Sequence, residues 1–328
     1  MQYVGLHTQQ ARNNFRSVLL LCLFPCLVIL LTFLFSVLLT AFTTDYNQTG
    51  LTVMNQSALT VKDLAPFILG GIAIWFVIAY FANTSIIRSA TGARPLERKD
   101  NKRVYNLVEN LCMANGMTMP QINVIEDDSL NAFASGINNS TYTVSLSRGI
   151  INKLDDDELE GVIAHELSHI RNNDVRLLII SIVFVGIFAL LTQLAFNFLR
   201  YAPLRSRSSN NKNGSGGIFV IIIIALIVAA IGYFFATIMR FAISRKREYM
   251  ADAGAAGMTR KPQALANALR KISRDPDIEA VTRSDVAQLF IEHPRKQEDT
   301  SNQLFSGISG LFATHPPIKD RIAVLEQF

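Results

Sequence analysis

Four stretches of this chain are too long and too apolar for an ordinary soluble core: Ser17 to Thr44, Leu64 to Ile87, Leu177 to Leu199 and Ile218 to Met239, none of which contains Asp, Glu, Lys or Arg. Buried core helices seldom run past roughly 14 residues without a charge, whereas a helix crossing a bilayer needs about 20 apolar residues. In hydrocarbon every backbone group must be satisfied within the segment, so these stretches predict four transmembrane helices. Thr192, Gln193 and Asn197 make the second half of the third stretch the most polar part of the four. A cleaved signal peptide fits the first stretch poorly, because it is too long and lacks a small-x-small cleavage site. The composition agrees: 50% of the 328 residues are hydrophobic and only 17% are charged, which is low for a soluble protein.

Charges beside the spans predict an orientation. Arg12 and Arg16 precede the first span, and Arg88, Arg94, Arg98, Lys99, Lys102 and Arg103 follow the second, whereas Asp45 to Asp63 carries only Lys62. By the positive-inside rule the N-terminus and the chain after Ile87 lie in the cytoplasm of a multi-pass protein of the cell (inner) membrane. The net charge of +5 is then a matter of topology. No aromatic-interleaved basic stripe is present, which argues against a nucleic-acid partner. Cys22 and Cys26 fall inside the first span and Cys112 in the cytoplasmic part, so no disulfide framework is expected.

Between the two apolar pairs the pattern becomes that of an α+β domain. Val104, Leu107, Val108, Leu111 and Cys112 recur at helical spacing from Lys102 to Asn115, ahead of Gly116 and Pro120. Ile122 to Ile125, Asn131 to Gly136 and Tyr142 to Leu146 read as extended pieces of a small sheet. Asn138-Asn139-Ser140 is turn chemistry that joins the last two as a hairpin. Asp155 with Glu158 three residues on forms a capping box opening a helix through about Asn172. Arg200 to Gly217 is a polar loop joining the second apolar pair, and helices are expected at Ile243 to Ala256, Pro262 to Ser273 and Ile318 to Phe328.

The chemistry lies in His165-Glu166-Leu167-Ser168-His169. Two histidines at i and i+4 project from one helix face and can reach a single metal ion, while Glu166 is rotated away from His165 and suits a general base. The chain has only five histidines, and two of them occupy this spacing in an otherwise apolar, capped helix.

A catalytic zinc takes three protein ligands and leaves one position open. A metzincin-type continuation would need Gly at 172 and His at 175, where this chain has Asn172 and Val175. Glu248, His293, His315 and Asp174 remain as the third ligand. Asp174 lies close to His169 in sequence, a poor distance for folding back, and suits a helix cap or the start of the next span. Glu248 stands out because Asp252, one helical turn on, is placed to accept from a ligand imidazole. Ala251, Ala253, Gly254, Ala255 and Ala256 would let that helix approach closely. The competing account pairs Glu248 with Arg245 or Arg247 on a surface helix.

Four motifs now carry a resemblance: Ser129-Leu130-Asn131-Ala132-Phe133-Ala134-Ser135-Gly136, the H-E-x-x-H, Ser244 to Asp252, and Thr314-His315-Pro316-Pro317. With Ala93-Arg94-Pro95 and the apolar pair between the second and third motifs, nearly the whole chain resembles the HtpX-type bacterial membrane metalloproteases, relatives of the prenyl-protein CAAX proteases. The resemblance implies zinc, one ion per subunit, bound by His165, His169 and Glu248, with Glu166 catalytic and Asp252 behind a ligand. It also implies that Asn131, Ala132, Phe133 and Ala134 lie on an edge that holds substrate backbone, a sequence-tolerant mode of recognition. His315 is implied as a donor to the oxyanion, against the plainer account of a packing residue ahead of Pro316-Pro317. His293 matches no motif of the family and reads as structural.

The division expected is a cytoplasmic N-terminus 1–16, a first transmembrane hairpin 17–87 with an external loop near 45–63, a protease part 88–176, a second hairpin 177–239 and a protease part 240–328. One tension remains. His169 and Glu248 must share a side, so the intervening spans cross an even number of times, which would put Arg200, Arg205, Arg207 and Lys212 outside against the charge rule. The site's geometry is obligatory and the charge rule statistical, so a hairpin is expected. The function expected is zinc-dependent cleavage of misfolded or membrane-associated proteins. A transporter would place ionisable groups inside its spans. A non-catalytic zinc scaffold would close the fourth metal position. A prenyl-protein protease would need a larger chamber and more spans.

Overall fold

The structure is a computed structural model and describes residues 6–43, 49–180, 226–227, 230–232, 246–273 and 316–328. The loop expected at 200–217, His293 and His315 lie outside the described residues, as do most of the third and fourth apolar stretches. The described part is mainly helical with one small mixed sheet. It forms two compact units, Met1–Ser17 with Tyr80–Ile179 and Phe241–Phe328, and Val18–Ala79 with Ile180–Arg240.

In the second unit run the bulk of α1 (Leu6–Thr43, 38 residues) and α2 (Gly50–Thr91, 42 residues). At 1.5 Å per residue these helices are about 57 and 63 Å long, well beyond a hydrocarbon core of about 30 Å. Both are long and apolar enough to cross a membrane. Their surfaces distinguish them from soluble core helices: only 17% and 6% of their most apolar windows are buried, and Leu30, Phe67, Ile74 and Val77 are exposed. Such surfaces suit a lipid environment. Where α1 and α2 meet, Phe24 is fully buried and packs edge-to-face on Phe76. Residues 50–63, expected in the external loop, are instead the first turns of α2.

The first unit carries the sheet. Its strands are β1 (Arg94–Pro95), β2 (Gln121–Ile125), β3 (Ala132–Ser135) and β4 (Thr143–Ser147), in spatial order β1-β2-β4-β3. β3 and β4 form the expected hairpin, its turn held by Asn138 Oδ1, which accepts from the Ser140 and Thr141 amides. The parallel pairing of β2 with β4 was not expected. It places helices over the sheet, so β4 is buried at every position.

Around the sheet lie α3 (Lys102–Ala114), α4 (Arg148–Lys153) and α5 (Asp156–Arg171). α3 is capped by Asn101 and buries Val104, Val108, Leu111 and Cys112, the stripe read from the sequence. α5 begins with the expected capping box of Asp155 and Glu158. Arg103 locks its approach angle by donating to the Ile151 and Leu154 carbonyls at 2.7 Å each. Further along the chain follow α6 (Lys246–Thr259), α7 (Pro262–Ile272) and α8 (Ile318–Leu325). α5 packs against α6, α7 and β3, so its functional face is enclosed between a helix layer and the sheet. Two glycines permit this. A Cβ on Gly161 would lie 3.2 Å from the Leu265 backbone of α7, and one on Gly254 of α6 would lie 2.6 Å from the Ser168 hydroxyl.

Candidate metal centre

α5 projects His165 and His169 from one face, and their Nε2 atoms lie 3.2 Å apart. α6 presents Glu248 to both, with Oε2 3.6 Å from His165 Nε2 and Oε1 3.6 Å from His169 Nε2. Tetrahedral donors about 2.0–2.2 Å from a zinc ion would be separated by roughly 3.3–3.6 Å. Glu248 faces the two rings with different oxygens, and one donor atom from each of the three residues lies within 4.8 Å of the others, so the group can hold a metal ion. Glu248 is buried, which removes the account that made it a surface partner of neighbouring arginines.

Both imidazoles are oriented from behind. Asp252 Oδ1 lies 3.0 Å from His165 Nδ1, and Asp174 Oδ2 lies 3.1 Å from His169 Nδ1. Each carboxylate accepts from its ring's Nδ1 and turns Nε2 inward, the usual support of a metal-ligating histidine. Asp174 does open the next helical segment, 174–180, as expected, but it also faces His169. Spacing had argued against it as the third ligand, and it is not among the three grouped donors. The chain reverses at Asn173, whose φ of 59° brings the next residue back under α5.

Arg321 of α8 was not singled out in the sequence. It is fully buried, and its fork holds Asp252 through Nε to Oδ2 at 2.9 Å and Nη2 to Oδ1 at 2.7 Å. Nη2 also lies 3.4 Å from both ring nitrogens of His165. The signal available was indirect: a buried Asp252 needs a cation, and α8 contains one arginine.

These contacts set the protonation of the site. Burial and the Arg321 charge oppose a charged His165, but hydrogen bonds to the Asp252 and Glu248 carboxylates prevail and hold it up to about 9. Burial also opposes ionisation of Asp252, which Arg321 and His165 nevertheless keep below the usual carboxylate range. Glu166 moves the other way. Its burial raises the pKa, assisted by Glu248, while the two histidines and a hydrogen bond with the Ala134 backbone restrain the rise. That bond sets Glu166 beside β3, the edge strand containing Ala132, Phe133 and Ala134, with Asn131 directly before it. Asn131 is buried, and its Oδ1 accepts from the Ala132 amide at 2.9 Å.

Two histidines from one helix, a glutamate from a second, and a further carboxylate between them and a sheet edge, in a chain with lipid-seeking helices, define a membrane metalloprotease. The chain belongs to peptidase family M48, whose model matches residues 98–328. A protease HtpX homolog of Bacteroides fragilis is 67% identical over 330 residues, covering all of both chains. One of Listeria innocua is 40% identical over 260 residues, 77% of this chain and 83% of its own. The crystal structure of S. mikatae Ste24p, 22% identical, aligns over 90% of this chain and 61% of that chain with a TM-score of 0.43. The HtpX-type resemblance of the four motifs thus holds along the full length.

Proposed function

We propose that His165, His169 and Glu248 hold a zinc ion and that Glu166 is the catalytic carboxylate hydrolysing peptide bonds of misfolded or membrane-associated proteins. The carrying observation is the convergence of His165, His169 and the Glu248 carboxylate, one donor atom from each lying within 4.8 Å of the others, with Glu166 alongside. When bound, zinc supplies Lewis-acid polarisation of the scissile carbonyl and makes water acidic enough to deprotonate near neutral pH. Glu166 takes that proton and returns it to the leaving amine, a role served by the raised pKa that burial gives it. Asp252 and Asp174 fix the two imidazoles. The β3 segment, Asn131 to Ala134, receives an extended substrate backbone, placing the scissile bond next to Glu166. His315, by resemblance to the family, donates to the developing oxyanion.

In this reading the chain has four spans, the described α1 and α2 followed by the apolar stretches 177–199 and 218–239, in the five-part division given above. The active site faces the cytoplasm. Support comes from the basic residues flanking α1 and α2 and from the hydrogen bonds that Gln10 and Asn13, at the start of α1, make to the Arg171 and Asn172 carbonyls of α5. The N-terminus and the protease part then share one membrane face. The test is Glu166→Gln in the full chain, assayed on an unfolded membrane protein with zinc supplied. Loss of cleavage with zinc retained is expected, and near-native cleavage overturns the assignment. The same variant serves as a trap for comparing membrane proteomes and naming substrates.

A further inference from the structure

We propose that Asn13, at the foot of the first membrane helix, is a positioning residue for the metal site, acting through Asp174 on His169. The inference rests on the reading of His169 as a metal ligand. Asn13 is fully buried, and its side-chain amide donates 2.6 Å to Asp174 Oδ1 and 2.9 Å to the Asn172 carbonyl. The other oxygen of the same carboxylate, Oδ2, meets His169 Nδ1 at 3.1 Å. Two hydrogen bonds thus connect the first membrane helix to the imidazole.

The chemistry of the junction explains why an amide stands there. The last carbonyls of any α-helix lack intrahelical partners. At the end of α5 the Arg171 carbonyl accepts from Gln10 at 2.6 Å and the Asn172 carbonyl from Asn13, so α1 caps the helix that carries both histidines. Asn173 adds a bond to Asn14 at 3.2 Å. Asp174 is 2% exposed, and a carboxylate so buried requires donors. Asn13 and His169 supply one to each oxygen, while Arg247 Nη1 stands 3.8 Å from Oδ1 and donates to the Asp174 backbone carbonyl at 3.3 Å. Without the Asn13 amide, Oδ1 loses its short donor. The carboxylate is then free to rotate toward Arg247 and away from the ring it orients. An apolar side chain at position 13 could fill the same volume but could not hold Asp174. The amide therefore couples the seating of a membrane helix to the geometry of a catalytic histidine.

The test uses the full chain in detergent, with zinc titrated against a competing chelator. Asn13→Leu and Asn13→Ala should each weaken zinc binding about tenfold or more, the usual effect of losing a partner behind a metal-ligating histidine. Asp174→Asn should do the same. Gln10→Leu, which breaks a bond to the same end of α5 without touching Asp174, should leave affinity within about twofold of native. Native affinity in both Asn13 variants overturns the proposal. So does an equal loss in Gln10→Leu, since docking of α1 would then suffice without the amide. His169→Ala separates the two readings. If it binds zinc like the native protein, the ligand assignment itself fails; if it loses zinc while Asn13→Leu does not, only the present inference does.

Discussion

Arg321 and Asp252 form a fully buried, two-pronged ion pair, with Nε–Oδ2 and Nη2–Oδ1 distances of 2.9 and 2.7 Å. The Asp252 oxygen at the shorter distance is also the one facing His165 Nδ1. A helix near the C-terminus therefore sets the orientation of a histidine more than 150 residues earlier.

Breaking this pair should be costly. Arg321→Met leaves a buried carboxylate without its cation, for which a loss of about 3–5 kcal/mol is expected. Zinc affinity should fall roughly 10–100-fold. Arg321→Lys should not restore either, because an ammonium cannot span both oxygens as the guanidinium does. Thermal melting in detergent and chelator competition read the two effects, and a near-native Lys variant would contradict the account.

Glu248→Gln should lower zinc content while leaving the helices in place. The amide keeps the size of the side chain but removes the anion that sits 3.6 Å from both Nε2 atoms. Full metal occupancy after dialysis would show that the third ligand lies elsewhere.

The raised pKa of His165 makes both stability and metal uptake depend on pH. In the metal-free fold its pKa is about 9 against 6.5 for the free side chain. Its contribution to stability is then complete below pH 6.5 and is lost as the pH climbs through 9, so the melting temperature of metal-free protein should decline across that window. A metal must displace the same proton. Zinc affinity should accordingly rise over the interval and level off beyond it, and a flat profile would rule out His165 as the group displaced.

The close approach of α5 and α6 rests on Gly254. Gly254→Ala would put a methyl group 2.6 Å from the Ser168 hydroxyl. Overpacking of this kind costs about 1–3 kcal/mol and shifts the helix that carries Glu248 and Asp252. Adding Ser168→Ala removes the opposing oxygen and should recover part of the stability and zinc binding. If the double variant is no better than the single one, the strain lies elsewhere.

Local chemistry in the sequence foretold much of this. The capping box, the His165–His169 spacing and the small residues around Gly254 each act within one or two helical turns, and each is found in place. The Asn138 turn likewise produced its hairpin. What could not be read was the meeting of distant segments. The parallel pairing of β2 with β4 depends on how both faces of the sheet are covered. The roles of Arg321 and Asn13 depend on buried carboxylates supplied by other helices. In sequence Arg321 is merely a charged residue in a short helix, and Asn13 a polar residue ahead of a span. Asp174 opens the next segment as expected; its contact with His169 was not read because one left-handed residue, Asn173, reverses the chain within a single step.

The edge strand bears on self-association. β3 is four residues long, and its first amide, on Ala132, is already taken by the Asn131 side chain. Open strand edges are templates for aggregation, and proteins that keep them short and partly self-satisfied avoid pairing with copies of themselves. A short edge whose first amide is already satisfied offers less of such a template to another strand. A strand added there would have to compete for that amide.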